Sequence, residues 1–484
     1  MRLNIVFRYV GIMLLINALF LLISSIISAI NAEQSFLPLF YSSIVTALFG
    51  IFPLLFVPST HHITNNEGLV IVVSSWLLSC LSSTLPYVLW GGEFTFTNAW
   101  FESVSGYTTT GSSILTNVEV LPLGLLFWRA TTHWIGGMGV IIFALSVLPS
   151  MGTASMVLYR LEMSPLAQQD FRQNTKATLR IILSTYIGLT VLEIICLLLC
   201  GMNLFESIVN SFCTIPTGGF SNKNTSIAFY NNVWIEIVIM IFMVVSALHF
   251  GLLFSAIFKR SMNIFKSTIV RYYILALGIG IVITTLNLHG SQYKSWFEAL
   301  RYSSFQIISV GTTTGFATAD SSIWPPLALI LIIIFTIQGG CAGSTAGGIK
   351  PDRIVMFGKA IVKQLKLLQH PQAVLNVRIN DKIIHDDELA MGILYICVYL
   401  VVVIFSTILL IILGVDWLSA FSGVVATTGD CGPGLGTVGS MGNFNHIPTI
   451  GKWIFSGNML LGRFEIYGLI IFFQPHIWRM KIKR

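Results

Sequence analysis

Phe305-Gln-Ile-Ile-Ser-Val-Gly-Thr-Thr-Thr-Gly315 is one of four short segments that repeat a single pattern along this chain. The other three are Phe101-Glu-Ser-Val-Ser-Gly-Tyr-Thr-Thr-Thr-Gly111, Ile215-Pro-Thr-Gly-Gly219 and Thr428-Gly-Asp-Cys-Gly432. Each segment lies between two strongly apolar stretches, and the last glycines recur at similar intervals. The pattern predicts four copies of one hydrophobic unit, and four such units around an axis make a pore.

The composition indicates that these segments belong to a membrane protein. Of the 484 residues, 55% are hydrophobic and only 10% are charged, and the mean hydropathy is +0.81. A water-soluble globule could not bury so much apolar surface. The first apolar run, about 10–30, is longer than the hydrophobic region of a signal peptide, so we interpret it as a retained transmembrane helix.

A helix that crosses the hydrocarbon core needs about 20 apolar residues. The sequence predicts ten spans, at 4–30, 36–57, 68–90, 122–149, 178–200, 232–258, 268–289, 324–349, 388–415 and 450–473. The predicted fold is an all-α membrane protein, in which a leading two-helix hairpin precedes four pseudo-repeats around a central pore. Each repeat contains a span, a re-entrant pore half-helix with its filter loop, and a second span. The predicted units are the hairpin at 1–60 and repeats at 61–150, 151–262, 263–372 and 373–484.

The distribution of charge predicts the orientation in the membrane. If both termini are cytoplasmic, the inner segments are 1–9, 58–67, 150–180, 258–272, 350–387 and 474–484, and they hold most of the 27 Lys and Arg residues. This asymmetry follows the positive-inside rule, although 58–67 contributes no positive charge. The glycine segments then face outward. The basic residues lie beside membrane spans and form no separate basic domain, so no nucleic-acid partner is expected.

The four segments are suited to selecting a cation. Six residues before each final glycine the chain has a small residue, which lets a short helix pack closely between spans. These residues are Ser105, Cys213, Ser309 and Ala426. Non-helical backbone at membrane depth is tolerated where it lines water or is covered by protein. A ring of carbonyls can replace the hydration water of an alkali cation, and glycine supplies the positive φ that turns carbonyls inward.

Four motifs resemble the TrkH branch of the Trk/Ktr/HKT potassium transporter superfamily. They are residues 309–316, Ser-Val-Gly-Thr-Thr-Thr-Gly-Phe; 432–436, Gly-Pro-Gly-Leu-Gly; 128–139, Trp-Arg-Ala-Thr-Thr-His-Trp-Ile-Gly-Gly-Met-Gly; and 339–350, Gly-Gly-Cys-Ala-Gly-Ser-Thr-Ala-Gly-Gly-Ile-Lys. The resemblance covers nearly the whole chain. It implies a homodimeric potassium uptake protein of the bacterial inner membrane, surrounded by lipid. It also implies gating by a cytosolic nucleotide-binding subunit of the TrkA type.

The resemblance also implies which residues form a filter for K⁺. They are Thr109, Thr110, Gly111, Thr217, Gly218, Gly219, Thr313, Thr314, Gly315, Asp430, Cys431 and Gly432. The fourth loop departs most from the others, because family members more often carry a neutral amide where Asp430 stands. Its carboxylate could concentrate cations or change selectivity. It could instead point away from the pore and accept backbone N–H bonds, which is the interpretation we favour.

The glycine-rich stretch 339–348 interrupts a predicted span. One explanation is close helix packing through small residues. The resemblance favours another, an intramembrane loop that blocks conduction until it moves. The implied gate residues are Gly339, Gly340, Gly343, Ser344, Thr345, Gly347, Gly348, Lys350 and Arg463. Lys350 is expected to anchor the next segment at the inner interface.

Ionisable residues within two spans need partners at membrane depth. Arg463 and Glu465 are two residues apart on the last span, so each is expected to have its own partner. By the resemblance, Arg463 faces the pore as an electrostatic barrier and tether for the loop; a structural bond to Asp430 or to a backbone carbonyl is the alternative. Arg129 is expected to fix a pore half-helix through Glu102.

His133 lies on the same helix face as Arg129 and is interpreted as structural, with a proton-relay role as the alternative. The sequence contains no HExxH helix or paired carboxylates at membrane depth, so no enzyme, no catalytic residues and no covalent cofactor are predicted. The leading hypothesis is K⁺ permeation down its electrochemical gradient. Coupling to Na⁺ or H⁺, and a sodium-preferring carrier on the same fold, remain alternatives.

Overall fold

The computed structural model describes residues 1–58, 64–146, 175–258, 266–379 and 382–478. Within these ranges the chain is mostly α-helical, with one short antiparallel pair of strands, β1 (Val377–Ile379) and β2 (Lys382–Ile384). The predicted all-α membrane fold is confirmed. Most of the predicted inner segment 150–180, and parts of 58–67, 258–272 and 474–484, lie outside the described residues.

The helices fall into three groups. The leading hairpin consists of α1 (Leu3–Ile30) and α2 (Phe36–Phe56). Four short helices precede the glycine-terminated segments: α4 (Phe96–Tyr107), α7 (Leu204–Thr214), α11 (Trp296–Gly311) and α15 (Trp417–Thr428). The others are α3 (Asn65–Trp90), α5 (Leu123–Ser146), α6 (Thr175–Leu199), α8 (Val233–Ser246), α9 (Phe250–Phe258), α10 (Thr268–Leu288), α12 (Pro326–Gln338), α13 (Pro351–Gln369), α14 (Asp386–Ile412), α16 (Thr449–Arg463), α17 (Tyr467–Phe472) and α18 (Pro475–Trp478).

Three predicted spans are not single helices. The predicted span 232–258 consists of α8 and α9, which are separated at Ala247–His249. The span 324–349 ends as a helix at Gln338, and the span 450–473 is broken between α16 and α17. The reason is that apolar composition alone does not reveal where a helix unwinds. Among the described residues, six helices are long and apolar enough to cross a membrane: Leu3–Ile30, Phe36–Phe56, Asn66–Trp90, Ile182–Leu199, Thr268–Leu288 and Asp386–Ile412.

The leading hairpin is held together by a close crossing of two glycines. A Cβ on Gly50 would lie 2.9 Å from the carbonyl oxygen of Gly11, so larger residues would force α1 and α2 apart. At the turn between α1 and α2, Glu33 accepts hydrogen bonds from Leu123 N at 2.7 Å and Gly124 N at 3.1 Å. A carboxylate at a helix N-terminus satisfies unpaired N–H groups and favours the helix dipole. The hairpin is therefore fastened to the start of α5.

Polarity is distributed as expected for a protein dissolved in lipid. The short helices are buried in the centre, and α4 buries polar residues such as Ser103 and Ser105. Large apolar side chains such as Phe49 and Phe52 remain exposed on α2. Lipid solvates such side chains, whereas polar groups need partners inside the protein. The core is thus built around the four short helices.

Candidate functional site

The four short helices end in the same hydrogen-bonded turn. In each segment the residue before the final glycine donates its N–H to the carbonyl five residues earlier. These bonds are Thr110 N to Ser105 O at 3.0 Å, Gly218 N to Cys213 O at 2.8 Å, Thr314 N to Ser309 O at 2.8 Å and Cys431 N to Ala426 O at 2.8 Å. The small residues that lie six positions before each final glycine are therefore the acceptors that close the turns.

Each turn contains two residues with positive φ. The first has φ close to 50°: Thr109 at 54°, Thr217 at 55°, Thr313 at 56° and Asp430 at 50°. The second is the final glycine, and the angles are 90° at Gly111, 78° at Gly219, 79° at Gly315 and 98° at Gly432. Residues with a Cβ enter this region only at a cost of about 1–3 kcal/mol. The four segments therefore share one strained backbone conformation.

The four turns contact one another in a closed ring. A Cβ on Gly111 would collide with the carbonyl oxygen of Gly218, and one on Gly219 with that of Thr314. In the same way, a Cβ on Gly315 would collide with Cys431 O, and one on Gly432 would lie 2.6 Å from Thr110 O. Every glycine thus packs against the carbonyl that precedes the glycine of the next segment. Glycine is required by this close approach as well as by its φ.

Glu102 on α4 stabilises the first turn through its carboxylate, which contacts the chain after the turn and Arg129 on α5. Its Oε1 is 2.6 Å from Arg129 Nε, and its Oε2 accepts from Ile114 N at 3.0 Å. Arg129 Nη1 also donates to Ser221 O at 2.9 Å, just after the second turn. The predicted contact between Arg129 and the first pore helix through Glu102 is present. It joins the first segment to the second through a buried ion pair.

Gln306 was not singled out from the sequence, yet it occupies the position of Glu102 in the third segment. Its Nε2 donates to Ala319 O at 2.7 Å and so holds the chain that follows the turn. Its place nine residues before Gly315, matching that of Glu102 before Gly111, is the signal that could have identified it.

His133 packs edge-on against Phe220 with ring centroids 4.1 Å apart. The ring of His133 also lies directly against Gly218, and its nitrogens make no hydrogen bond to any described residue. This packing supports the structural interpretation of His133, because a proton relay needs hydrogen-bonded neighbours.

Residues 339–350 form a non-helical loop that contacts three of the four turns. Gly347 N donates to Thr313 Oγ1 at 3.0 Å, and Thr345 Oγ1 is 3.3 Å from Thr217 Oγ1. A Cβ on Gly347 would lie 2.9 Å from Asp430 Cβ. The loop returns on itself, because Lys350 N donates to Gln338 O at 2.8 Å.

The predicted gate glycines lie in this loop, where Gly339, Gly343 and Gly348 have positive φ. Gly340 packs against Ala247 at the α8–α9 break, and Ser344 Oγ donates to Cys341 O at 2.6 Å. The loop thus fills the space beside the turns.

Arg463 is bonded to the loop at the end of α16. Its Nη1 donates to Thr345 O at 2.9 Å, and its Nη2 is 3.5 Å from Gly136 O. Two residues later, Glu465 pairs with Lys350 at 3.0 Å and with Arg353. Each of the two ionisable residues has its own partners, as expected from their spacing. Lys350 is buried in this ion pair, and its role as an anchor at the inner interface stays a prediction.

Asp430 is also placed differently from the favoured interpretation. Its Oδ1 accepts a hydrogen bond from the hydroxyl of Thr110 at 3.0 Å, and among the described residues no backbone N–H donates to it. The reason is that the turn directs this side chain toward the first segment, whose own N–H groups close their turn with Ser105. The carboxylate therefore lies beside the ring, between the fourth and first segments.

This fold, with its four converging turns and a loop beside them, defines a multi-spanning membrane transport protein. The model of the TrkH family, described as a cation transport protein, matches residues 39–480. The chain belongs to the TrkH family, and the resemblance drawn from the motifs is confirmed. Relatives of this kind are transporters, which agrees with the prediction that the chain is not an enzyme.

Individual relatives match over most of their length. The Trk system potassium uptake protein TrkH of Escherichia coli (strain K12) is 37% identical over 419 residues, which cover 86% of each chain. The protein of the same name from Halomonas elongata is 32% identical over 489 residues, covering 99% of this chain and 100% of the relative. The crystal structure of the potassium transporter TrkH from Vibrio parahaemolyticus matches with a TM-score of 0.89 at 30% identity, covering 99% of this chain and 100% of that one.

Proposed function

We propose that this protein carries K⁺ into the cell across the bacterial inner membrane, through a filter made by the four turns. The closed ring of Thr110, Gly218, Thr314 and Cys431 carbonyls, each packed against the next glycine, is the observation that carries the proposal. Carbonyl oxygens held in a ring replace the hydration shell of an alkali cation. The relatives named above as potassium uptake proteins support K⁺ as the ion.

The twelve residues of the four turns would form the filter, three from each segment. Each segment has a single glycine level, whereas potassium channels use a longer run of carbonyls, so the filter offers fewer ordered sites. We therefore expect a modest preference for K⁺ over Na⁺. Short helices point the negative ends of their dipoles toward the turns, which also favours a cation.

The loop 339–350 would be the gate. Its contacts with Thr217, Thr313 and Asp430 support a position on the conduction path, and its bond to Arg463 supports a closed state. The buried charge of Arg463 would oppose cation passage while the loop is in place. Opening then requires the loop to leave these partners.

Membership of the family and the distribution of charge support a proposal for the wider assembly. Both termini are proposed to be cytoplasmic, because the predicted inner segments carry most of the basic residues. The protein would act as a homodimer with a cytosolic nucleotide-binding subunit of the TrkA type. The segment 350–387, with α13, β1 and β2, supplies an inner surface suited to such a partner. Coupling of K⁺ entry to Na⁺ or H⁺ is the alternative mechanism.

Radioactive rubidium uptake into proteoliposomes tests the proposal. Uptake should be driven by an imposed voltage alone and be competed by K⁺ better than by Na⁺. Uptake that needs a sodium or proton gradient would make the protein a symporter instead. Gly315→Ser should abolish uptake or raise relative Na⁺ uptake, whereas Gly188→Ser, on α6 with no atom near its added Cβ, should not. Unchanged selectivity in Gly315→Ser would contradict the filter.

A further inference from the structure

Asp430 is buried, and one of its two carboxylate oxygens has no hydrogen-bond partner among the described residues. Oδ1 is held by the Thr110 hydroxyl, but Oδ2 accepts no hydrogen bond from any described residue although Asp430 is only 1% exposed. A Cβ on Gly462 would lie 3.2 Å from this Oδ2. The free oxygen therefore rests on the last turn of α16, one residue before Arg463.

Arg463 has unused hydrogen-bonding capacity on the same turn. Its Nη1 is bonded to Thr345 O in the loop, while its Nε makes no hydrogen bond to a described residue. Both side chains are buried beside the last turn of α16, yet they form no ion pair within the described part of the chain. A buried charge with part of its hydrogen-bonding capacity unused is costly, so Asp430 Oδ2 and Arg463 Nε would each gain from a charged partner.

We propose that Asp430 is the positioning residue that receives Arg463 when the loop 339–350 moves away, an inference that rests on the proposed function. In the closed arrangement Thr345 O holds the guanidinium. When Thr345 leaves, Asp430 Oδ2 is available as a charged acceptor, because it lies beside Gly462, the residue that precedes Arg463 on α16. The resulting pair neutralises the positive charge on the ion path and stabilises the open state.

The backbone does not require a carboxylate at this position. The other three turns adopt the same conformation with threonine, at Thr109, Thr217 and Thr313. The fourth segment differs from them and is also the segment that packs against Gly462. A charged residue thus occurs in the turn that packs against Gly462, next to Arg463. This coincidence is explained if the carboxylate serves Arg463 and not the turn itself.

A double-mutant cycle on voltage-driven rubidium uptake tests the pairing. Asp430→Asn should lower uptake at least fivefold, because the guanidinium stays on the ion path. In an Arg463→Gln background the same change should alter uptake less than twofold. An equal loss in both backgrounds would mean that Asp430 acts on the permeating ion directly, and no loss in either would mean that it has no role; both results overturn the proposal.

Two further variants guard against loss of folding. Asp430→Thr introduces the residue that forms this turn three times elsewhere, and it should behave as Asp430→Asn does. Glu298→Gln changes an exposed carboxylate at the start of α11 and should leave uptake unchanged.

A structural measurement separates this inference from the proposed function. In an experimental structure of a variant lacking residues 343–347, the guanidinium of Arg463 should lie within hydrogen-bond distance of Asp430. A guanidinium that remains apart from Asp430 overturns the inference, whatever the transport result. Absence of voltage-driven uptake in the unmodified protein overturns the proposed function of conduction, and the structural result then decides the pairing alone.

Discussion

Thr345→Val removes one hydroxyl from the loop and keeps the shape of the side chain. Thr345 Oγ1 lies 3.1 Å from Ile215 O, 3.3 Å from Thr217 Oγ1 and 3.4 Å from Ser246 O. These partners belong to the second segment and to α8, not to the loop. The hydroxyl therefore stabilises the loop only where it is seen here, against the turns.

The size of the effect follows from the lost bond. A net hydrogen bond contributes about 0.5–1.5 kcal/mol, and a buried acceptor left without a donor adds to the loss. A total of about 1–2 kcal/mol corresponds to a factor of about 5–30 in an equilibrium. If the loop closes the pore, the fraction of open protein should rise by that factor, as long as the open fraction remains small.

The assay is the initial rate of rubidium uptake into proteoliposomes. Each variant is reconstituted in the same amount, from the single peak that it gives in size-exclusion chromatography. Thr131→Val is the matched control, because Thr131 is fully buried and its hydroxyl bonds, among the described residues, to Phe127 O alone, within α5 at 2.8 Å. We expect faster uptake for Thr345→Val and an unchanged rate for Thr131→Val. A rate for Thr345→Val equal to or below that of the unmodified protein would refute the assignment of the loop as a closing element.

Three other predictions concern the packing around the site. Glu465→Gln should raise uptake and lower the apparent Tm, because it leaves Lys350 and Arg353 buried without their carboxylate; unchanged values of both in a thermal and uptake assay would contradict the role of this pair. Glu102→Gln breaks a buried ion pair with Arg129 and should cost about 3–5 kcal/mol, seen as a clear fall in apparent Tm that Glu298→Gln does not produce. Gly50→Leu should separate α1 from α2 and lower the apparent Tm, with the K⁺ preference over Na⁺ unaltered, while Gly188→Leu should be nearly neutral; a changed ion preference would show that the hairpin acts on the filter.

The repeated turns could be predicted from the sequence because their requirements are local. The residue six positions before each final glycine accepts the closing bond and is small, and glycine is needed for φ of 78–98°. Both requirements restrict which residues can occur at fixed positions relative to the glycine, so the sequence shows them. The Arg129–Glu102 pair could be predicted for a similar reason, because two charges at membrane depth must pair with each other or with another partner.

The helix breaks and the position of Asp430 could not be predicted in the same way. The unwound residues at Ala247–His249 and Phe464–Ile466 lie within long apolar runs, and the single ionisable residue in each does not show where the helix ends. Their unwinding depends on partners far away in the sequence. The partner of Asp430 is Thr110, more than three hundred positions earlier, and the contact exists only because the first and fourth segments meet in the ring.

The three breaks stabilise one another. Backbone groups freed at membrane depth must be satisfied within the protein. Cys341 N donates to Ala247 O at 2.9 Å, and Phe250 N donates to Gly343 O at 3.2 Å, so the loop and the α8–α9 break satisfy each other.

The third break joins the same network through side chains. Arg463 binds the loop carbonyl of Thr345, and Glu465, just beyond α16, binds Lys350 at the end of the loop. Bonds therefore run from the loop to both neighbouring breaks. Its movement must either break these bonds or carry the ends of α8 and α16 with it, which makes the three breaks one mechanical unit.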